Sequence, residues 1–272
     1  MQILIWDGAM RFSLLMFLIL FSACQKAKYS DVAVVSHAGA GITAIHSPYI
    51  DNSLEAVNYA LSFEQCEGVE LDVQFSKDSA MWVFHDPNLL EKFDNEFCVS
   101  SYTDEELRDL QYANGEGLIC LNDFDFSRYP NKSFYLDIKH WNDCGLYTEE
   151  ILMKGLSKMN WSGVGTAKVH LLFSTETWLD TVIGSYERVI FVANSGEGFE
   201  NILEEHPGLY GIEVKYSETN AAQINSWKNQ GLYVGVFQTR AAKTIRKAIN
   251  LYPDFIETDD FKTAINIVSN GK

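Results

Sequence analysis

The sequence predicts an α/β chain folded as a single-domain (β/α)8 TIM barrel, and three observations carry that expectation. Apolar runs of strand length recur along the chain with helical stretches between them. No low-complexity segment or linker interrupts the series. A chain of 272 residues that is 47% hydrophobic is long enough to bury one large core. The runs are VAVVSH from Val32, GVELDVQF from Gly68, SFYLDIK from Ser133, KVHLLFS from Lys168, RVIFVAN from Arg188, YGIEVKY from Tyr210, YVGVFQT from Tyr233 and DFIET from Asp254. Eight such runs, each followed by a helical segment, are the repeat that closes a barrel.

Ahead of the first strand, MRFSLLMFLILFSAC (Met10 to Cys24) has a basic Arg11, an apolar run from Leu14 to Phe21, and small residues before the cysteine. The run is shorter than the ~20 residues that cross a bilayer and reads as an export signal. Ser22-Ala23-Cys24 resembles the bacterial lipoprotein cleavage box, with Phe21 where leucine is more usual. The expected organisation is therefore a lipoprotein-type signal peptide over 1–23, a tether over 24–30 and the barrel over 31–272, with Met10 as the expected start. The protein would be exported, periplasmic or on the cell surface, and held at a membrane through a lipidated Cys24. A plain secretory peptide cut nearby is the alternative.

With Cys24 lipidated, Cys66, Cys98, Cys120 and Cys144 remain for disulfides in three possible pairings. No CxxC spacing or Cys/His cluster suggests zinc or a redox dithiol. The formal net charge of −16 is unchanged by loss of the first 23 residues, which removes only Asp7 and Arg11, and it argues against nucleic-acid binding.

The first strand ends in Ser36-His37 and breaks at once into Ala38-Gly39-Ala40-Gly41, so the histidine emerges where the backbone turns, with glycines leaving room beside it. The helix that follows, NSLEAVNYALSFEQ, sets Leu54, Val57 and Leu61 on one face, with Asn52 and Glu55 as a cap-like start. In the second strand Glu70, Asp72 and Gln74 alternate with Val69, Leu71, Val73 and Phe75. A second histidine follows the run MWVF as His85-Asp86-Pro87, with Asp86 either orienting the imidazole or capping the loop. Pro87 to Pro130 departs from the repeat, contains one clear helix (TDEELRDL), and is expected to lie over the barrel mouth.

The third strand aligns Tyr135, Asp137 and Lys139, adding a carboxylate to the mouth where Glu70 and Asp72 point. Two like charges about 6 Å apart at an effective dielectric of about 20 repel by about 3 kcal/mol, so three ionised carboxylates need a cation between them. An all-oxygen set favours Mg²⁺ or Ca²⁺ over zinc. Neutralisation by Lys139 and Lys215 as structural ion pairs is the competing reading, and for Glu213 with Lys215 it weighs at least as heavily. His46, His140, His170 and His206 have no comparable setting and read as surface or core. No serine, threonine or cysteine stands in a recognisable nucleophile setting.

The motifs HAGAG, DNSLEA, ELDVQFSKD, HDPNL, YLDIK and ETDD, in this order, resemble the glycerophosphodiester phosphodiesterase family over roughly Val32 to Phe261. The resemblance implies a metal-dependent phosphodiester hydrolase in which His37 and His85 are catalytic. It implies Glu70, Asp72 and Asp137 as metal ligands, Asp137 standing where glutamate is usual, and Lys139 as the lysine that follows. It also implies attack by the substrate's own glycerol hydroxyl, through a cyclic phosphate. Asn52 falls at a motif asparagine. Three positions depart from the pattern: Ala38 stands in place of an arginine, Asp51 in place of a glutamate, and Gln238 where tryptophan is common. Lys139 or Lys215 would then supply charge to the substrate phosphate without the guanidinium fork. Two rival readings stand beside this one: a non-catalytic ligand-binding barrel lipoprotein, and phospholipase D-like action on lysolipids or sphingolipids.

Overall fold

The computed structural model describes residues 31–42 and 48–270. The expected signal peptide, Cys24, the tether and His46 lie outside the described residues. The strands are β1 (Ala33–Ser36), β2 (Gly68–Phe75), β3 (Met81–Val83), β4 (Ile119–Cys120), β5 (Ser133–Ile138), β6 (Trp141–Asn142), β7 (Gly145–Leu146), β8 (Lys168–Phe173), β9 (Val189–Ala193), β10 (Gly211–Lys215), β11 (Tyr233–Thr239) and β12 (Phe255–Thr258). Parallel pairing runs β1, β2, β5, β8, β9, β10, β11, β12 and returns from β12 to β1, closing the barrel. All the runs picked out in the sequence are its staves.

Alternation along the strands separates two environments. Val69, Leu71, Val73 and Phe75 on β2, with Phe134, Leu136 and Ile138 on β5, join the core between the sheet and the helices. Inside, the amino-terminal end of the barrel is plugged by aromatic rings. Tyr135 stacks on His170 at 4.5 Å between centroids and packs on Phe255 at 4.7 Å. Gly235 makes this possible, since a Cβ there would lie 2.0 Å from the Phe255 ring. His170 is thus a core residue: burial, with Arg188 and Lys168 nearby, lowers its pKa to about 3 and keeps the ring neutral.

Pro87 to Pro130 contains more structure than its sequence suggests. Its β4 pairs antiparallel with β3, which precedes it and extends β2 outward, short helices cover Leu90–Phe93 and Asp104–Arg108, and its Leu89, Val99 and Leu107 pack with Trp82 and Phe84 in a separate small core. None of the three two-bridge pairings forms in full: one bridge, Cys98–Cys144, ties this excursion to the β6–β7 hairpin, while Cys66 and Cys120 are buried and free. The bridge closes a separation of 46 residues. Loop-closure entropy of that size corresponds to about 4 kcal/mol, so replacing both cysteines by serine is expected to cost about 2–4 kcal/mol. A melting temperature equal to that of the unreduced wild type would show that the bridge contributes nothing in solution.

Candidate active site

The strand ends on the carboxyl side converge on one mouth. His37 leaves β1 in a tight turn: its N–H donates to Thr258 O at 3.1 Å, and Gly41 N–H returns to His37 O at 2.7 Å. Ala38 and Gly39 have φ of 47° and 83° and Gly41 has 92°, all in the left-handed region. Only glycine fits at 41, because a Cβ there would meet Asp259 O at 2.3 Å. The room left at Gly41 is thus taken by the Asp259 backbone. That approach delivers the Asp259 carboxylate to the imidazole, where it accepts from His37 Nδ1 at 2.7 Å and from Ile42 N–H at 3.1 Å. His37 Nε2 faces Glu70 at 3.8 Å and Glu257 at 3.9 Å. Burial alone would lower the imidazole's pKa, but Glu257, the Asp259 hydrogen bond and Glu70 outweigh it and hold it well above 6.5.

Glu70 and Asp72 are each 2% exposed, and the β2–β5 register sets Asp72 beside Asp137. Glu70 accepts from Ala38 N–H at 2.9 Å. Lys139 lies between the two aspartates, with Nζ 2.6 Å from Asp72 and also bonded to Asp137. Burial would raise the Asp72 pKa, but Lys139, His85 and His37 bring it down to about 2. Asn52 does not cap the following helix; Ser53 does, accepting from Ala56 N–H at 3.2 Å. Buried and at φ 59°, Asn52 instead grips Asp72 twice, donating Nδ2–H to its carboxylate at 2.8 Å and accepting its backbone N–H at 3.0 Å.

Of the two lysine pairings that compete with a cation role, Lys139 does pair with Asp72 and Asp137, whereas no Glu213–Lys215 ion pair forms among the described residues. Strand alternation aims Glu213 inward, where it is 1% exposed, and its Oε1 has no hydrogen-bond partner. Burial, then Glu70 and Asp137, push its pKa up to about 8. Glu70 is likewise raised by burial, Asp72 and Glu257, and Glu257 by burial and Glu213. Lys215 ends β10 half-buried on the same alternation.

These residues fit a divalent cation. Glu70, Asp72 and Asp137 each offer an oxygen within 4.8 Å of the others, and His37, Glu70 and Glu257 form a second such group. The orphaned Glu213 oxygen and the raised pKa values of Glu213, Glu70 and Glu257 mark the side of the mouth where carboxyl groups lack a positive partner, whereas Lys139 already neutralises Asp72 and Asp137. A testable consequence concerns pH. A carboxyl raised from about 4.5 to about 8 stabilises the fold fully below pH 4.5, and that contribution is lost as pH rises through 8. The metal-free protein should therefore melt lower at pH 9 than at pH 5.5, and added Mg²⁺ or Ca²⁺ should raise the melting temperature more at the higher pH. An equal ion effect at both values would remove these carboxylates from ion binding.

His85 follows β3 in a loop fixed by Gln74, whose amide donates to Phe84 O at 3.1 Å and Asp86 O at 2.7 Å. Its Nδ1 bonds Asp86 at 2.9 Å, so Asp86 orients the ring. That bond, against partial burial and with help from Asp72, raises the His85 pKa. The structure therefore brings together His37, Glu70, Asp72, Asp137 and Lys139, with His85 within electrostatic reach of Asp72. Asp259, Glu257 and Arg240 are the mouth residues to which the sequence reading gave no role. Alternation along DFIETDD (Phe255, Glu257, Asp259 inward) would have found the first two.

A closed parallel barrel whose mouth gathers imidazoles oriented by carboxylates, a bridging lysine and further buried acids defines a class: TIM-barrel proteins with a polar, acid-rich site at the carboxyl ends of the strands. Residues 37–142 match the model of the Glycerophosphoryl diester phosphodiesterase family, which bears out the resemblance read from the motifs over the span carrying His37, Glu70, Asp72, His85, Asp137 and Lys139. No curated protein matches the chain. Among solved structures, a phosphodiesterase from Oleispira antarctica in complex with the product sn-glycerol-3-phosphate has TM-score 0.72 at 18% identity, over 89% of this chain and 99% of that one. A glycerophosphodiester phosphodiesterase from Parabacteroides distasonis gives 0.71 at 20%, over 89% and 99%. One from Thermotoga maritima gives 0.66 at 22%, over 87% and 98%. At these identities the structural likenesses establish the shared barrel.

Proposed function

We propose that this chain hydrolyses glycerophosphodiesters to glycerol phosphate and an alcohol, with Mg²⁺ or Ca²⁺ held by Glu70, Asp72 and Asp137 and with His37 and His85 as the acid/base pair. The family match indicates a phosphodiesterase, and the product bound to the Oleispira relative supports the substrate class. The single observation that carries the reading is the convergence of the Asp259-oriented imidazole of His37 with three carboxylates at one mouth.

When bound, the ion would neutralise charge on the phosphoryl oxygens. The remaining work falls to the chain. Asp259 holds the Nδ1 proton, so Nε2 is the nitrogen through which His37 exchanges a proton with the substrate. Asp86 does the same for His85, leaving its Nε2 as the second exchanger. Lys139 holds Asp72 and Asp137 together, and it and Lys215 supply positive charge for the substrate phosphate.

The test is incubation of the purified protein with glycerophosphocholine and Mg²⁺, followed by assay for glycerol 3-phosphate. Product that disappears with chelator and returns with Mg²⁺ or Ca²⁺ supports the reading. Failure on the choline, ethanolamine and glycerol diesters would leave the ligand-binding barrel.

A second reading, action on lysolipids or sphingolipids, is favoured by one observation. Among the described residues the exposed large apolar side chains are Leu90, Phe97, Trp141 and Leu146. Leu89 N–H bonds Phe97 O, Trp141 pairs with Leu146, and the Cys98–Cys144 bridge joins the two segments beside the His85 loop. Such a patch suits an acyl chain, and faster turnover of lysophosphatidylcholine than of glycerophosphocholine would support it. For location, we propose export and anchoring through Cys24. A Cys24→Ala form that is processed and fractionates with membranes as the wild type does would overturn the anchor.

A further inference from the structure

We infer that Arg240 builds an anion site beside His37 and receives the phosphoryl oxygens of the substrate, an inference that rests on the phosphodiester reading above. A cavity of about 200 Å³ opens at the mouth between β1, β11 and β12, lined by His37, Gln238, Thr239, Arg240, Glu257 and Asp259 among others. Arg240 is the guanidinium in that wall. Its Nε lies 3.2 Å from Asp259 Oδ2, while the other oxygen of the same carboxylate accepts from His37 Nδ1 at 2.7 Å. One buried carboxylate, 4% exposed, thus fixes an imidazole and a guanidinium on the same cavity.

The backbone supplies a second, independent observation. The β11–β12 register shifts between Val236 and Thr239, and Gln238 within that bulge sits at φ 67°, a conformation that costs energy for a residue with a side chain. A bulge at a barrel rim re-aims the residues that follow it. Here the turned chain is pinned on both sides. Thr239 Oγ1 donates to Glu257 O at 2.8 Å, and the N–H groups of Arg240 and Ala241 donate to Thr244 Oγ1 at 3.2 and 3.1 Å. The fixed segment carries a side chain that remains 57% exposed while lining the cavity, as a group awaiting a soluble partner would.

The chemistry of the wall selects the partner. A guanidinium offers several N–H donors in a planar fork that matches two phosphate oxygens, and the adjacent imidazole offers another donor. Lys139 already bridges Asp72 and Asp137, so Arg240 is the better-placed donor for this anion. At position 38, where the family pattern has its arginine, the fully buried methyl of Ala38 contributes no charge. Arg240 brings a guanidinium to the mouth from the opposite end of the sequence.

The test measures binding of inorganic phosphate by calorimetry in the Mg²⁺-loaded protein, beside hydrolysis of glycerophosphocholine, for the wild type, Arg240→Gln and Arg240→Lys. Arg240→Gln should weaken phosphate binding by about 10- to 100-fold and raise KM by a similar factor. Arg240→Lys should recover part of the affinity, and added guanidinium ion should partly rescue the glutamine variant. Phosphate affinity and KM unchanged in a folded Arg240→Gln protein overturn the site, and so does a wild type that does not bind phosphate. A wild type that binds phosphate through Arg240 yet hydrolyses no glycerophosphodiester supports the anion site and rejects the proposed reaction.

Discussion

A substrate analogue lacking the hydroxyl next to the phosphate is expected to be cleaved orders of magnitude more slowly than the parent diester. The structure narrows the possible nucleophiles. The threonines lining the mouth cavity are committed to backbone carbonyls, Thr239 Oγ1 to Glu257 O and Thr258 Oγ1 to Thr239 O, both at 2.8 Å. Cys66 and Cys120 are buried, and burial raises both thiol pKa values, that of Cys66 to about 12. Among the described residues lining this cavity no hydroxyl or thiol is both free and served by a base, so, unless a histidine itself attacks, the nucleophile is water or the substrate's own hydroxyl. A vicinal hydroxyl is already in place, and well-oriented intramolecular attack is worth about 7–11 kcal/mol. The hydroxyl oxygen would form a bond to phosphorus as the head-group alcohol leaves with a proton, and water would then open the cyclic phosphate. Equal rates on the two substrates at saturating Mg²⁺ would show that water attacks directly.

Replacing His37 by alanine should lower kcat by about 10²- to 10⁴-fold, the usual contribution of a general acid or base, while the fold persists. The variant that tests the geometry is Asp259→Asn. An amide oxygen can accept the Nδ1 proton but carries no charge to favour the imidazolium, so the His37 pKa should fall and the pH profile of kcat should shift to lower pH. The sign follows from the site: Asp259 is among the groups that raise this pKa against the lowering effect of burial. A profile unmoved by Asp259→Asn, or a His37→Ala enzyme with near wild-type turnover, would return His37 to a structural role. His85 is more exposed and leans on Asp86, so its alanine variant should fall within the same range of loss.

Much of this arrangement was legible before any coordinates. The two-residue period along GVELDVQF and SFYLDIK assigned Glu70, Asp72 and Asp137 to one side and Leu71, Val73, Leu136 and Ile138 to the other, because a strand buried on both faces still alternates them. The break after Ser36 marked His37, since two left-handed glycines cannot continue a strand. Asn52 reads equally as a cap and as a motif asparagine, because local spacing cannot show a partner twenty residues away on β2. Arg240 is hidden in the sequence for a related reason: nothing in TRAAKT marks it, since its place at the mouth depends on a bulge in the preceding strand.

By itself the sequence determined the staves, their order, and which side chains each turns inward, because these depend on period-two alternation and on turn chemistry within a few residues. Only the tertiary structure decided which inward groups meet. Closure of β12 onto β1 puts Asp259 against His37 across 222 positions, the β2–β5 register puts Asp72 beside Asp137, and Cys98 finds Cys144 rather than another thiol. Those pairings are set by barrel closure and inter-strand register, which hydrogen bonds and core packing fix in three dimensions and which no local pattern encodes.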